Sequence, residues 1–154
     1  MDHDVQRILS VADYQFGKGA GRLLFPRNVK IEYSKKTGRI RYVYLNDARL
    51  ATMRPTDGLF SLSLVGAQRL VRHRDRAKCI VTVKNDVAEF VAAGGDVFAV
   101  HVVNADDEIR SKDEVIIVNE TGSILAVGRA VLSSEEMTAF KRGVAVRVRR
   151  GTRE

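Results

Sequence analysis

Along this chain the apolar positions switch between the spacing of a helix and that of a strand. Val5, Ile8, Leu9 and Ala12 follow an i, i+3, i+4, i+7 stripe, which predicts a helix over residues 2–14. A glycine cluster, Gly17, Gly19 and Gly21 around Lys18, follows it and reads as a flexible loop. Val29, Ile31 and Tyr33 alternate with Lys30 and Glu32, as a half-buried strand does. Ser34-Lys35-Lys36-Thr37-Gly38 is a turn, and Ile40, Tyr42 and Tyr44 resume the alternation, giving a hairpin with a basic tip. Residues 50–53 and 60–62 read as strands around the turn Arg54-Pro55-Thr56-Asp57-Gly58, and residues 64–73 as a helix. This half is α+β: a small antiparallel sheet with helices near its two ends.

The second half is mainly β. Strands are expected over 79–83, 97–103, 114–119, 124–132 and 144–148. Asp86 is expected to cap a short helix over 87–93, which Gly94-Gly95 stops. Ser133-Ser134-Glu135-Glu136 carries the hydroxyl-x-x-carboxylate spacing of a capping box and opens a helix that Gly143 ends. In the last strand Val144, Val146 and Val148 share one face, and Ala145, Arg147 and Arg149 the other. So many strands in so short a span predict a compact barrel or closed sheet.

Charge divides the chain in the same place. Residues 1–76 hold 15 basic and 7 acidic side chains, a net of +8. Residues 77–140 hold 5 and 11, a net of −6, and residues 141–154 hold 6 and 1, a net of +5. With the polar run Arg72-His73-Arg74-Asp75-Arg76 between apolar segments, this predicts two units, 1–76 and 77–154. The whole chain of 154 residues carries +7, which favours polyanionic partners. It is too short for a (β/α)₈ barrel, which needs about 250 residues. Cys79, alone in an apolar run, forms no internal disulfide and reads as a small buried hydrophobe. No stretch approaches the ~18 apolar residues of a membrane span, so the expectation is a soluble, cytoplasmic protein.

Catalytic and cofactor signals are weak. Gly17-Lys18-Gly19-Ala20-Gly21 lacks the spacing of a phosphate loop, although Lys18 and Arg22 could meet the phosphates of a polyanion. Asp106-Asp107-Glu108 lacks a second ligand cluster and reads as a solvated turn. His3, His73 and His101 are scattered, with His101 expected on a strand. No cofactor and no metal is implied. The basic hairpin, by contrast, places Lys35, Lys36, Arg39 and Arg41 where they could attract a polyanion.

Ordered motifs in the second half sharpen this reading. Phe90-Val91 leads into Gly94-Gly95 and Val97-Phe98-Ala99, followed by Asp113-Glu114-Val115-Ile116-Ile117-Val118-Asn119 and Leu125-Ala126-Val127-Gly128-Arg129-Ala130. With Ser133-x-x-Glu136-Met137 and Gly143-x-Ala145-Val146, the span 78–150 resembles a PUA domain. In the first half, Ala12-Asp13-Tyr14-Gln15-Phe16-Gly17, Ser34-Lys35-x-Thr37-Gly38-Arg39-Ile40-Arg41 and Asp57-Gly58-x-Phe60-x-Leu62 resemble the domain before the PUA domain in archaeal tRNA-guanine transglycosylases.

The resemblance implies the RNA-binding end of that family without its catalytic barrel. It marks Gly94, Gly95, Val97 and Phe98, then Arg147, Arg149 and Arg150, as the face toward RNA. Family members often carry a basic residue where Val100 stands, and Asp96 puts an acid at the glycine turn. The expected function is non-catalytic RNA binding, with tRNA as partner, supporting archaeosine-type tRNA modification in trans. The competing expectation is a protein-interaction subunit that docks on a larger modification enzyme and touches little RNA itself.

Overall fold

The computed structural model describes residues 2–154. Two compact units make up the chain, one ending at Ala77 and the other spanning Lys78–Glu154.

The first unit opens with α1 (His3–Phe16), capped by the Asp2 carboxylate, which accepts from the Asp4 amide at 3.0 Å. Its apolar stripe buries Ile8, Ala12 and Phe16. The glycine cluster that follows is a loop only over residues 17–19, where the chain turns. Gly19, left-handed at φ 85°, starts a second helix, α2 (Ala20–Leu24). The cause is close packing: a Cβ on Gly21 would lie 2.5 Å from the Leu9 carbonyl oxygen of α1. The Asp13 carboxylate then accepts from the Gly21 amide at 2.6 Å and locks the seam.

Four strands, β1 (Lys30–Tyr33), β2 (Ile40–Leu45), β3 (Ala48–Met53) and β4 (Phe60–Leu62), form an antiparallel meander in that order. Helix α3 (Leu64–Val71), capped by Ser63, lies against β3 so closely that a Gly66 Cβ would sit 2.1 Å from the Leu50 carbonyl oxygen. Phe16, Leu24, Phe25, Leu50, Phe60 and Leu70 fill the core, with Phe25 and Phe60 edge to face at 5.1 Å.

The second unit has six strands rather than five: β5 (Ile80–Val83), β6 (Val97–Phe98), β7 (Val102–Ala105), β8 (Glu114–Val118), β9 (Ile124–Ala130) and β10 (Val144–Gly151). They pair in the order β6-β10-β9-β8-β5-β7, antiparallel except for the parallel pair β5/β8. The expected strand over 97–103 is broken because its two halves serve opposite edges. β6 pairs with β10 and β7 with β5, and a 3₁₀ turn at Ala99–His101 carries the chain between them. Three residues linking the two edge strands bring those edges together, which closes the sheet into a near-barrel. His101 therefore sits on this turn, its carbonyl accepting from the Lys84 amide at 3.0 Å.

Val81, Val83, Val115, Ile117, Val146 and Met137 pack inside. Asp86 does not cap a helix; a 3₁₀ turn at Asn85–Val87 precedes α4 (Ala88–Ala92). The capping box at Ser133 and Glu136 is present and starts α5 (Ser134–Ala139), which ends before Gly143. The Asp106 carboxylate is tied to β5, accepting from the Ile80 amide at 2.8 Å, and is no free turn residue. Cys79 is buried, and burial pushes its thiol pKa up, followed by the charges of Asp106, Glu114 and Asp113. Among the described residues no helix is long and apolar enough to cross a membrane.

Candidate nucleic-acid interface

The glycine turn of the second unit is a helix stop built as a Schellman motif. The Gly95 amide donates to the Phe90 carbonyl and the Gly94 amide to the Val91 carbonyl, both at 2.9 Å, with Gly94 left-handed at φ 106°. Both amides are therefore occupied and offer no donors to a phosphate. The missing Cβ atoms are filled by the protein itself. The Phe90 ring lies over Gly95, where a Cβ would be 2.3 Å from it, and the Glu154 side chain covers Gly94 at 2.8 Å. Glu154 is held there by accepting from the Gly151 amide at 2.6 Å.

Of the other residues marked near this turn, Val97 is buried in the barrel core. Phe98 points outward, 39% exposed, edge to face with the His101 ring at 6.4 Å. Such a ring is the kind of surface on which an unpaired base stacks.

The three arginines of β10 part company. Arg147 extends into solvent with its guanidinium 3.6 Å from the Asp96 carboxylate, its side chain 70% exposed. Asp96 is committed on its other oxygen to the Val148 amide at 2.9 Å. Arg150 is exposed. Arg149 is exposed as well, but unlike Arg147 it is committed to a buried partner. The β9 pairing slips between Val148 and Arg150, so Arg149 is the extra residue of a bulge. Its guanidinium forks onto the fully buried Glu114 carboxylate, with Nη1 at 2.9 Å from Oε1 and Nη2 on Oε2. Arg149 is first a counter-ion for a buried acid.

The hairpin of the first unit assembles something the sequence shows only in part. Lys36, Arg39 and Arg41 line a cleft of about 940 Å³ with Arg7 from α1 and Arg54 from the β3–β4 turn. Lys35, though exposed, lies off this lining. Two acids share the cleft, and each already has a partner. Tyr33 donates its hydroxyl to Asp4 at 2.5 Å, and Asp57 accepts Arg54 Nε at 3.2 Å and the Leu59 amide at 3.0 Å. Arg54 adds a second contact to Asp57 at 3.1 Å, while its Nη1 is buried without a hydrogen-bond partner. Arg41 is oriented by donating to the Met53 carbonyl at 3.3 Å and by lying over the Tyr42 ring, 5.6 Å from its centre.

Five cations in one recess with both acids engaged make an anion-accepting surface. Sequence reading missed Arg7 and Arg54. The signal for Arg54 was present in its turn, where Arg-x-x-Asp spacing around Pro55 fixes the arginine beside the strand pair. Arg7 is visible only as a polar-face residue of an amphipathic helix, one of many such.

A family model described as the patch-forming domain C2 of tRNA-guanine transglycosylase matches residues 6–76, and the PUA domain model matches residues 80–152. The tRNA-guanine(15) transglycosylase of Methanothermobacter thermautotrophicus is 45% identical over 148 residues, covering 96% of this chain and 23% of that protein. The sequence thus spans about a quarter of the length of such relatives, and the rest of them has no counterpart within these residues. A crystal structure of a hypothetical protein from Pyrococcus horikoshii superposes with a TM-score of 0.77 at 26% identity, covering 98% of this chain and 91% of that one. A chain in the structure of an H/ACA ribonucleoprotein bound to a substrate RNA superposes with a TM-score of 0.50 at 25% identity, over 56% of this chain and 27% of that one.

Proposed function

Since the chain is a patch-forming C2 domain followed by a PUA domain, the pair that archaeal tRNA-guanine(15) transglycosylases also carry, we propose that it is an RNA-binding protein that engages tRNA and supports tRNA modification in trans. The observation that carries the reading is the cationic cleft of the first unit. Three separate segments deliver Arg7, Lys36, Arg39, Arg41 and Arg54 to one recess, with both of its acids already partnered. Such a recess favours a polyanion over a neutral or basic protein surface.

In this reading the cleft supplies attraction to the sugar-phosphate chain, and the second unit supplies position. Arg147 and Arg150 meet phosphates, and the exposed Phe98 ring stacks on a base. The glycine turn contributes shape rather than hydrogen bonds, because its amides are used internally. The partner's identity is supported by the relatives, whose name is that of an enzyme acting on tRNA. Chemistry on the base belongs to another domain or chain, since a base exchange needs a nucleophile and a pocket for the extruded base.

Fluorescence anisotropy with labelled tRNA across 50–200 mM salt tests this. Neutralising about five phosphates gives a log–log slope of roughly −3.5 to −4.5. An affinity that does not change with salt overturns the reading. Incubating the chain with tRNA and a labelled free base gives no incorporation above an RNA-only control; incorporation overturns the non-catalytic part.

A further inference from the structure

Two cations that the proposed interface leaves aside meet Arg147 on the outer side of the barrel. Lys112, Arg129 and Arg147, with Ala130 and Val131, line a notch of about 400 Å³. Arg129 on β9 and Arg147 on β10 are direct cross-strand partners, so two like charges face each other across one strand pair. Like charges at that position destabilise a sheet unless something neutralises them.

Of these three cations, the protein's own acids serve only Arg147. Glu114 is Arg129's cross-strand partner on the other side, yet its carboxylate is taken by Arg149. Asp113, next to Lys112, turns its carboxylate to the Arg110 amide at 2.9 Å. Asp96 stands 3.6 Å from Arg147 alone. Among the described residues no carboxylate lies within ion-pair distance of Arg129 or Lys112.

The notch is also rigidly built. Lys112 is left-handed at φ 78°, a conformation that side-chain-bearing residues rarely adopt. Its amide donates to the Ala130 carbonyl at 2.7 Å, and the Ala130 amide donates to the Asp113 carbonyl at 2.8 Å. The Lys112 carbonyl accepts both Nε and Nη2 of Arg129 at 3.2 Å, which fixes that guanidinium on an exposed residue. A glycine would relax this turn, but the chain places a lysine there and keeps its side chain exposed over the notch.

We propose that Lys112, Arg129 and Arg147 together form a phosphate-binding notch that grips one backbone phosphodiester of the bound RNA, carrying the RNA path from the glycine turn across β10 and β9 to the turn before β8. The proposal rests on the RNA-binding reading and adds Lys112 and Arg129 to it. A pinned guanidinium and a mobile ammonium converging on one anion is a common way for a protein to hold a phosphate.

The test compares the full chain with Lys112→Gln, Arg129→Gln, Arg129→Lys and Arg147→Gln, using bulk tRNA as probe. Each neutralising substitution lowers the magnitude of the salt slope by about one unit and weakens binding several-fold. The Arg129→Gln/Arg147→Gln pair loses less than the product of the single losses, because both hold the same phosphate. Arg129→Lys keeps the charge and loses the fork, so it falls between the parent and Arg129→Gln. Should Arg129→Gln unfold, Lys112→Gln, which leaves the pinning carbonyl in place, decides alone.

Inorganic phosphate, compared with chloride at equal ionic strength, competes for tRNA binding against the parent chain more than against Lys112→Gln. If the parent binds tRNA steeply and the variants match it, the notch proposal is wrong while RNA binding stands. If phosphate distinguishes the variants but tRNA does not, the notch holds a free anion and not the RNA. If the parent itself shows no salt-dependent binding, the functional reading fails first.

Discussion

The two units are of equal scale and handle charge in opposite ways. The first, with 15 basic and 7 acidic side chains by residue 76, carries a large surplus and gathers part of it into a recess between a helix, a hairpin and a turn. The second, from Lys78 on, holds 11 basic and 12 acidic side chains and scatters its cations, two of which, Arg147 and Arg149, are paired with carboxylates. Net charge and site are therefore separate properties. A surplus sets how strongly a distant polyanion is drawn in, whereas a guanidinium pinned by a carboxylate or a carbonyl sets where a contact forms. Arg147, Arg149 and Arg150 are all exposed on one strand, yet Arg147 is loosely tethered to Asp96 and Arg149 is forked onto a buried carboxylate.

The strongest way to break that contrast is within β10 itself. Arg149→Ala leaves the buried Glu114 carboxylate without its fork, and because Arg149 is itself 37% exposed the cost is expected below the fully buried limit, at about 2–3 kcal/mol. Arg147→Ala should stay within about 0.5 kcal/mol, as surface substitutions do. Urea unfolding of both variants reads the difference; equal stabilities would mean that Glu114 finds another partner.

A comparable strain is expected in the first unit from Gly66→Ala. The new Cβ meets the backbone carbonyl of Leu50 at 2.1 Å, and backbone on a central strand gives little, so a loss of about 1–3 kcal/mol follows. Gly38→Ala, at the open hairpin tip, meets nothing within 4 Å and carries only the left-handed penalty of about 1 kcal/mol at φ 72°. If the two alanines cost the same by thermal unfolding, the tight seating of α3 on β3 is not what holds that helix.

The contrast in charge has its own measurement. Lys36→Gln with Arg39→Gln and Arg41→Gln should lower the magnitude of the tRNA salt slope by about 2–3 units, and Arg147→Gln with Arg150→Gln by about 1–2. A larger effect from the second pair would reverse the division of labour between attraction and position.

Much of the fold was legible because it rests on local signals. The apolar stripe of α1, the alternation in β1 and β2 and the capping box at Ser133 each lie within a few residues of one another. What escaped depends on non-local contacts. The glycine cluster became a helix seam because Gly21 meets Leu9 on another element, and residues 97–103 broke because β6 and β7 pair with different strands. The candidate site divided in the same way. The hairpin lysine and arginines could be seen in one stretch of sequence, but Arg7 and Arg54 join them only through tertiary packing, and nothing local tells Arg149 from Arg147.

The smallest effect concerns the wall of the cleft. Tyr33 on β1 donates to Asp4 on α1, and this hydrogen bond, followed by partial burial and the charges of Asp4 and Asp2, raises the phenol's pKa from 10.0 to about 12. The folded-state value lies above the unfolded one, so the bond's contribution is whole below pH 10 and fades as pH rises through about 12. Tyr33 is 42% exposed, which keeps that contribution small. Ultraviolet titration of the chain against Tyr33→Phe should show one phenolate step near pH 12, and Asp4→Asn should move the step back toward 10. Asp4→Asn also removes one of the cleft's two acids, so it should tighten tRNA binding slightly at low salt while Tyr33→Phe, which leaves the carboxylate in place, should not. A Tyr33 step near 10 in the parent chain would mean that Asp4 is not held at the cleft wall. The acid would then be free to turn toward Arg7, and the recess would be less cationic than its lining implies.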